Sequence, residues 1–362
     1  MAIRNLPTYH LHFHPLDLFE LRSDIWSEVP VQATLKNRKK KLQVDVVYRG
    51  SHIRKFKKKS YHIQFYKPKT FKGVKELHLN SEFNDPSLLR NKLSLDFFSQ
   101  LGILSPKSHH MALNINSNYE GVYLALESVD EHFLKDRCLP PGAIYYAVND
   151  DANFSLMSEI DQDVKKSLKV GYERKCGHKA DDLALEKFIY NINSTPPAKF
   201  EEMISKHLHV EQYLKWLAGI VCVQNFDGFV HNYALYYNRK NHLFQLIPWD
   251  YDATWGRDVN GKDLHPEYVR IEGFNTLSAR LLAVPTYRRH YHEILTSILE
   301  TEFTTRNMET KISSLQEQIC PYVQKDPYLK DKAHMFLNEA ELILTFIKKR
   351  NAYLKKELKK LQ

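Results

Sequence analysis

Apolar residues along the first third of the chain recur at every second position, the period of a strand with one buried face. Tyr9-His-Leu-His-Phe-His14 puts Leu11 and Phe13 on one side and three histidines on the other. The histidines read as the polar face of a half-buried strand rather than as a metal site. Pro15 then opens a helix carrying Leu16, Leu18, Phe19 and Leu21. Leu42-Gln-Val-Asp-Val-Val-Tyr48 and Ser60-Tyr-His-Ile-Gln-Phe-Tyr66 alternate in the same way, flanking Arg49-Gly-Ser-His52 and a basic stretch from Arg54 to Lys59. Asn37-Arg-Lys-Lys-Lys41 lies between apolar segments and reads as a hairpin tip.

The period lengthens further on. Asp85 as N-cap and Pro86 at the first helical position predict a helix with a stripe through Leu89, Leu93 and Phe97, closed by Gly102. Met111 to Ile115 and Gly121 to Leu126 predict a hairpin through Asn116-Ser-Asn118. Glu127-Ser-Val-Asp130 leads into a short helix ending near Leu134. Beyond about residue 180 helices take over. Val210 to Val223 is a strongly apolar helix ending just before Asn225-Phe-Asp-Gly228. Tyr233 to Tyr237 and Leu243 to Pro248 predict two short strands around Arg239-Lys-Asn241. After residue 275 the chain reads as helical to its end, with Leu342, Phe346, Tyr353, Leu354, Leu358 and Leu361 at helical spacing. The expected fold class is α+β, a strand-rich part (about 1–180) followed by a helix-rich part (about 181–362).

Composition narrows the class. Hydrophobic residues at 43% and charged residues at 26% predict a packed globular chain. With only 12 Gly there is little to build a Gly-rich nucleotide loop. A net charge of +9 suits an anionic ligand or a solvated basic surface. The basic residues are scattered and match no nucleic-acid module, so no nucleic-acid partner is expected. The four cysteines form no CxxC pair, as in a reduced chain made in a cytoplasm. The longest apolar run, Trp216 to Val223, falls far short of the ~20 residues that span a membrane, so no membrane partner is expected.

The informative stretch is Asn225-Phe-Asp-Gly-Phe-Val-His-Asn232, then two strands, then Pro248-Trp-Asp-Tyr-Asp252. Phosphoryl transfer uses one carboxylate to orient the acceptor hydroxyl, a carboxamide and a carboxylate on magnesium, and a cation on the phosphates. Kinases space the first two D-x-x-x-x-N, with the metal-binding Asp one hairpin downstream. Asp227 and Asn232 have that spacing, and Asp250 and Asp252 follow the hairpin. If 249–252 is extended, both aspartates share a face, where paired carboxylates call for a cation. Asp227-Gly228 as a plain turn and Asp250 or Asp252 as a helix cap are the structural alternatives.

Beyond spacing, Asp227 to Tyr236 and Ile247 to Gly256 closely resemble the CotH family. So do Arg49-Gly-Ser-His, Lys57-Lys-Lys-Ser-Tyr61, Asp85 to Leu93, Gly121-Val-Tyr-Leu and Glu127-Ser-Val-Asp130. The resemblance runs from Leu6-Pro7 to the C-terminal helices. It implies a single-domain, divergent, two-lobe protein-kinase-like fold. It also implies ATP and Mg2+ (or Mn2+) as cofactors, serines of spore-coat proteins as substrates, and synthesis in the sporulating mother cell before assembly into the coat. Asp227 matches the family's catalytic Asp and Asp250 its principal metal ligand, with Asn232 and Asp252 as further members.

Departures from ordinary kinases are clear. G-x-G-x-x-G, H-R-D and D-F-G are all absent. Side chains such as Arg49, Lys58 and Lys59 would therefore have to cradle the phosphates. Ser51-His52 stands where the family more often has Asn-Ser. Lys58 and Lys59 face opposite ways if a strand has begun there, and either could meet nucleotide. Glu127 is either the carboxylate paired with that lysine or an N-cap partner or surface charge. Trp249 either stacks on adenine or packs as core. Arg90 is expected to tie its helix to a carboxylate. A catalytically silent coat-assembly scaffold with a kinase-like fold is the alternative function.

Overall fold

The computed structural model describes residues 5–37, 40–66, 70–71, 73–330 and 333–362. The chain divides into two compact units. One comprises residues through Lys92, Lys107–Ser128 and Thr310–Glu341; the other comprises Leu93–Pro106, Val129–Glu309 and Leu342–Gln362.

The first unit is built on a closed barrel. Its strands are β1 (Thr8–Phe13), β2 (Val31–Asn37), β3 (Lys40–Tyr48), β4 (Tyr61–Phe65), β5 (Glu76–Asn80), β6 (Ser108–Ile115) and β7 (Asn118–Leu126). Their order is β1-β2-β3-β4-β5-β7-β6, and β6 closes on β1 in parallel. Closure leaves no strand edge in this barrel open for pairing. Alternation fills its interior: Leu11, Val44, Val46, Ile63, Leu79, Met111 and Leu113 are fully buried. Helix α1 (Pro15–Ser23) begins at Pro15 with the His14 side chain as its cap. His10 is half-buried and His12 exposed on the polar side of β1, as the strand reading requires.

The β6–β7 hairpin turns through Asn116 and Ser117, both at positive φ (46° and 72°). That is the turn whose twist matches paired strands. The tip between β2 and β3 expected at 37–41 includes Arg38 and Lys39, which lie outside the described residues. Helix α2 (Arg90–Gln100) starts later than the Asp85 cap predicts, because Leu88 sits at φ 55° and interrupts helical winding. Asp85 still caps it from a distance, its carboxylate accepting from the Arg90 N–H at 2.9 Å. The Arg90 guanidinium meets Asp85 at 2.5 Å and Glu339 at 2.7 Å, the expected tie to a carboxylate.

The second unit holds α3 (Glu131–Asp136), β8 (Gly142–Ala147), β9 (Tyr172–Cys176), α4 (Asp182–Ser194), α5 (Pro197–Ser205) and α6 (Val210–Val223). It continues with β10 (Tyr233–Asn238), β11 (Leu243–Pro248), α7 (Thr276–Leu282) and α8 (Pro285–Glu300). Helices α9 (Thr305–Val323) and α10 (Ala333–Glu357) complete the chain. A four-stranded antiparallel sheet has the order β11-β10-β8-β9. From Gln212 to Val223 nearly every residue of α6 is buried, so this helix is the spine of the unit.

The units do not divide at residue 180. Strand β8 pairs with β10, which fixes residues 129–180 among the later helices, and residues 310–341 return to the barrel unit. Strand pairing, not sequence order, sets the boundary.

Candidate active site

The acidic residues of the second unit hang on its spine. Helix α6 ends at Gln224, whose left-handed conformation (φ 61°) turns the chain sharply out. Asn225 is buried, and its side-chain oxygen accepts from the Gly228 N–H at 3.0 Å. Asp227 opens the following single helical turn, and its carbonyl accepts from Val230 and His231. Gly228 is closely packed: a Cβ there would stand 2.6 Å from Ile220 Cδ1, so that side chain would have to shift. The Asp227 carboxylate is thus carried on a short, tightly packed loop, 28% exposed.

His231 lies beside it. Its Nδ1 is 2.7 Å from Asp150, and its Nε2 is 4.0 Å from Asp227 Oδ2. Burial pushes the Asp227 carboxyl above the ordinary carboxylate range. Charge on His231 opposes this, while the charges of Asp150 and Asp250 add to it. The charge of Asp250 therefore reaches Asp227 across the hairpin.

That hairpin places the rest. Strands β10 and β11 pair from Tyr233↔Pro248 outward, and the Trp249 N–H donates to the Asn232 carbonyl at 3.2 Å. Asn232 (φ 56°) and Asp250 (φ 60°) both lie in the left-handed region. An extended 249–252 is therefore ruled out, and with it the argument that Asp250 and Asp252 share a face by strand alternation. Asp252 is half-buried, two residues on. Trp249 packs against the core around Val129, Phe133 and Ile247, with its ring 5.1 Å from that of Tyr146, in line with the core reading.

The cations of the first unit separate from one another. Strand β4 begins only at Tyr61, so Lys58 and Lys59 precede it and strand alternation does not apply to them. The Lys58 side chain is completely buried. Its ammonium meets the Val122 carbonyl at 2.6 Å and Asp326 Oδ2 at 2.9 Å. Burial pulls this ammonium below its ordinary range, and the Asp326 charge offsets part of that. The carboxylate on Lys58 is therefore Asp326. Glu127 instead accepts from the Lys107 N–H at 2.7 Å. Asp326 occupies a seat that a glycine makes: a Cβ on Gly121, at φ 102°, would lie 2.0 Å from its Oδ2. Half-exposed Arg49 donates to Asn80, and half-exposed Lys59 donates to the Arg54 carbonyl.

Sequence reasoning missed Asp326, 268 residues from Lys58, as well as His231 and Asp150. A clue to the first was Gly121, whose place in the Gly121-Val-Tyr-Leu motif marks a close approach. His231 stood in plain view four residues after Asp227.

A magnesium ion takes one or two carboxylates, an amide oxygen and phosphate oxygens. Asp250, Asn232 and Asp252 are residue types that would offer that oxygen donor set. Among the described residues, one group of three or more His, Cys, Asp or Glu gathers its ligand atoms within 4.8 Å, and it is His62, Glu76 and His78 in the barrel. The acidic residues of the second unit do not form so closed a set, so other oxygens would have to complete their coordination.

An acidic loop of this pattern, read with the whole chain, falls into a known class: the protein belongs to the CotH kinase family. The family model, described as CotH kinase protein, matches residues 46–354, which include every candidate residue above. Among individual proteins, the chain is 54% identical over 354 residues to the inner spore coat protein H of Bacillus subtilis (strain 168), covering 98% of each. It is 26% identical over 304 residues to that organism's inner spore coat protein H-like protein, covering 84% of this chain and 87% of the other. The solved Helicobacter pylori proinflammatory kinase CtkA aligns at 9% identity over 86% of this chain and 95% of its own. Its TM-score of 0.33 is too low to bear on the fold. No described helix is long and apolar enough to cross a membrane.

Proposed function

We propose that the chain is a protein serine kinase of divergent kinase-like fold, forming a single two-lobe domain, that phosphorylates spore-coat proteins and takes its place in the spore coat. The observation that carries this is the gathering of Asp227, Asn232 and Asp250 by α6 and the β10–β11 hairpin, in an order and spacing that phosphoryl transfer uses. Non-glycine residues at positive φ cost roughly 1–3 kcal/mol each and cluster where function requires them. Gln224, Asn232 and Asp250 are three such residues framing one loop. Membership of a kinase family and the likeness to inner spore coat protein H support the same reading.

Mg2+-ATP, when bound, supplies the phosphoryl group and neutralises its developing charge. Asp250, Asn232 and Asp252 are the residues assigned to the metal, and Arg49 and Lys59 to nucleotide phosphate. Asp227 orients the serine hydroxyl and accepts its proton. Its raised basicity favours that role, since a base works best with a pKa near the working pH. Asp150 holds the His231 ring with Nε2 4.0 Å from Asp227 Oδ2, where a charge on the ring opposes the rise in the Asp227 pKa.

The test is incubation of the full chain with γ-labelled ATP, Mg2+ and extracted coat proteins, beside Asp227→Asn. The expected result is phosphoserine on coat proteins, reduced by about 10²-fold or more in the folded variant. Normal coat assembly by the folded Asp227→Asn protein, with no labelling by it or by the unmodified chain, would instead make the chain a silent scaffold, and normal labelling by the variant would remove Asp227 from the chemistry.

A further inference from the structure

Strands β4 and β5 carry a second cluster of chemistry-bearing side chains. Their register pairs His62 with His78 directly and Gln64 with Glu76. Alternation turns Tyr61, Ile63, Phe65, Leu77 and Leu79 into the barrel core, which leaves His62, Glu76 and His78 together on its outer face. The face is not an ordinary wet one, because Glu76 and His78 are 8% and 9% exposed. The His62 and His78 rings stack at 4.9 Å. Glu76 Oε2 lies 3.0 Å from His62 Nε2, and Glu76 Oε1 lies 3.8 Å from His78 Nε2.

We propose that His62, Glu76 and His78 form a transition-metal site of the Zn2+ class, built into the barrel wall and distinct from the acidic residues of the second unit. Two imidazoles and one carboxylate are a donor set that Zn2+ adopts with a fourth position open. Bonds of about 2.0–2.1 Å in a tetrahedron hold ligand atoms about 3.3 Å apart. The observed 3.0 and 3.8 Å, which run to the two different Glu76 oxygens, lie near that spacing, and one ligand atom from each of the three residues lies within 4.8 Å of the others. The stacked rings would have to rotate out of their near-parallel arrangement to aim both lone pairs at one ion.

Two further features fit a metal. The Ser128 hydroxyl donates to Glu76 Oε1, orienting the carboxylate from behind as the outer partners of metal ligands do. His62, with 27% of its side chain exposed, leaves an entry path and puts the open position on the solvent side. Selectivity follows from donor type. Nitrogen donors favour Zn2+ or Co2+, whereas Mg2+ demands oxygen and keeps its waters. The site would take a metal that the acidic loop does not prefer.

The test uses metal-stripped full-length protein titrated with Co2+, whose visible absorption reports nitrogen ligation, followed by displacement with Zn2+ against a chromophoric chelator. One equivalent is expected to bind with a tetrahedral-type spectrum. His62→Gln and His78→Gln are expected to weaken Zn2+ binding about 100-fold or more, and Ser128→Ala by about 10-fold. Asp250→Asn should leave it unchanged, which separates this site from the proposed kinase chemistry because the readout is binding alone. Circular dichroism confirms folding of each variant, and the spectrum of the unmodified protein needs no variant at all. Absence of a bound equivalent, full binding by the histidine variants, or loss of the Co2+ signal in Asp250→Asn would each overturn the proposal and leave a hydrogen-bonded polar cluster only.

Discussion

Replacing Lys58 with methionine removes one charge from the barrel unit and almost no volume. Lys58 and Asp326 both have side chains with 0% exposure, and their charged atoms are 2.9 Å apart. Without the ammonium, Asp326 keeps the Val122 N–H at 3.0 Å and the Tyr328 N–H at 2.9 Å, but no counter-charge. Stranding one partner of a buried ion pair costs about 3–5 kcal/mol, whereas removing both charges from a well-packed site is close to neutral. Lys58→Met is therefore expected to lose about 3–5 kcal/mol. The double variant Lys58→Met/Asp326→Asn should recover at least about 2 kcal/mol of that, a coupling well above the error of a mutant cycle. Urea unfolding at pH 7, followed by circular dichroism on the four proteins of the cycle, measures both quantities. A Lys58→Met protein within 1 kcal/mol of wild type, or a double variant no better than the single, would falsify the buried-pair reading. Lys58 would then be free to act on nucleotide phosphate, as its basic neighbours suggested.

Other expectations rest on the acidic loop and on the half-exposed cations. Asp250→Asn keeps shape and removes one charge, so phosphotransfer should fall on the order of 10²-fold across a Mg2+ titration. Unchanged activity at every concentration would remove Asp250 from the metal site. Arg49→Met should raise the KM for ATP at least ~10-fold, since a charge-assisted hydrogen bond contributes about 1.5–3 kcal/mol. Nucleotide kinetics like wild type would sink its role. Burial and like charges raise the Asp227 pKa, so the folded state disfavours its ionised form. The sign follows: that cost exists above the raised pKa and vanishes below the ordinary carboxylate range. Asp227→Asn should accordingly melt higher than wild type at pH 8, with the gain shrinking toward pH 4 in a calorimetric series. A gain independent of pH would show that the carboxylate carries no such cost.

What the sequence discloses and what it hides divide by chain separation. Helix α6 and strands β10 and β11 fall within a residue or so of their expected bounds, because their periods and their flanking turns are local signals. Asp227, Asn232 and Asp250 were legible for the same reason: one helix end and one hairpin place them. The parallel pairing of β1 with β6 joins residues about a hundred positions apart and has no local signature. The Lys58–Asp326 pair and the His62–Glu76–His78 cluster are likewise products of register and closure. Positive φ at Leu88 and Asp250 was invisible because neither residue is the glycine that usually announces it. The first delayed a helix, and the second removed the extended segment on which the two-aspartate face depended.

The 268 positions between Lys58 and Asp326 are also an interval of time. A ribosome adding roughly 5–20 residues per second takes on the order of 10–50 s to cross that interval. Through it the seven barrel strands have all been made, yet the carboxylate that neutralises Lys58 does not exist. A nascent barrel must either leave Lys58 in water, with the adjoining turn undocked, or wait with a lysine that has lost its proton. Both states expose chain that the finished unit covers. The last segment of the barrel unit to be synthesised is thus the one that permits its charge to be buried, which ties completion of the N-terminal unit to delivery of the C-terminal helices.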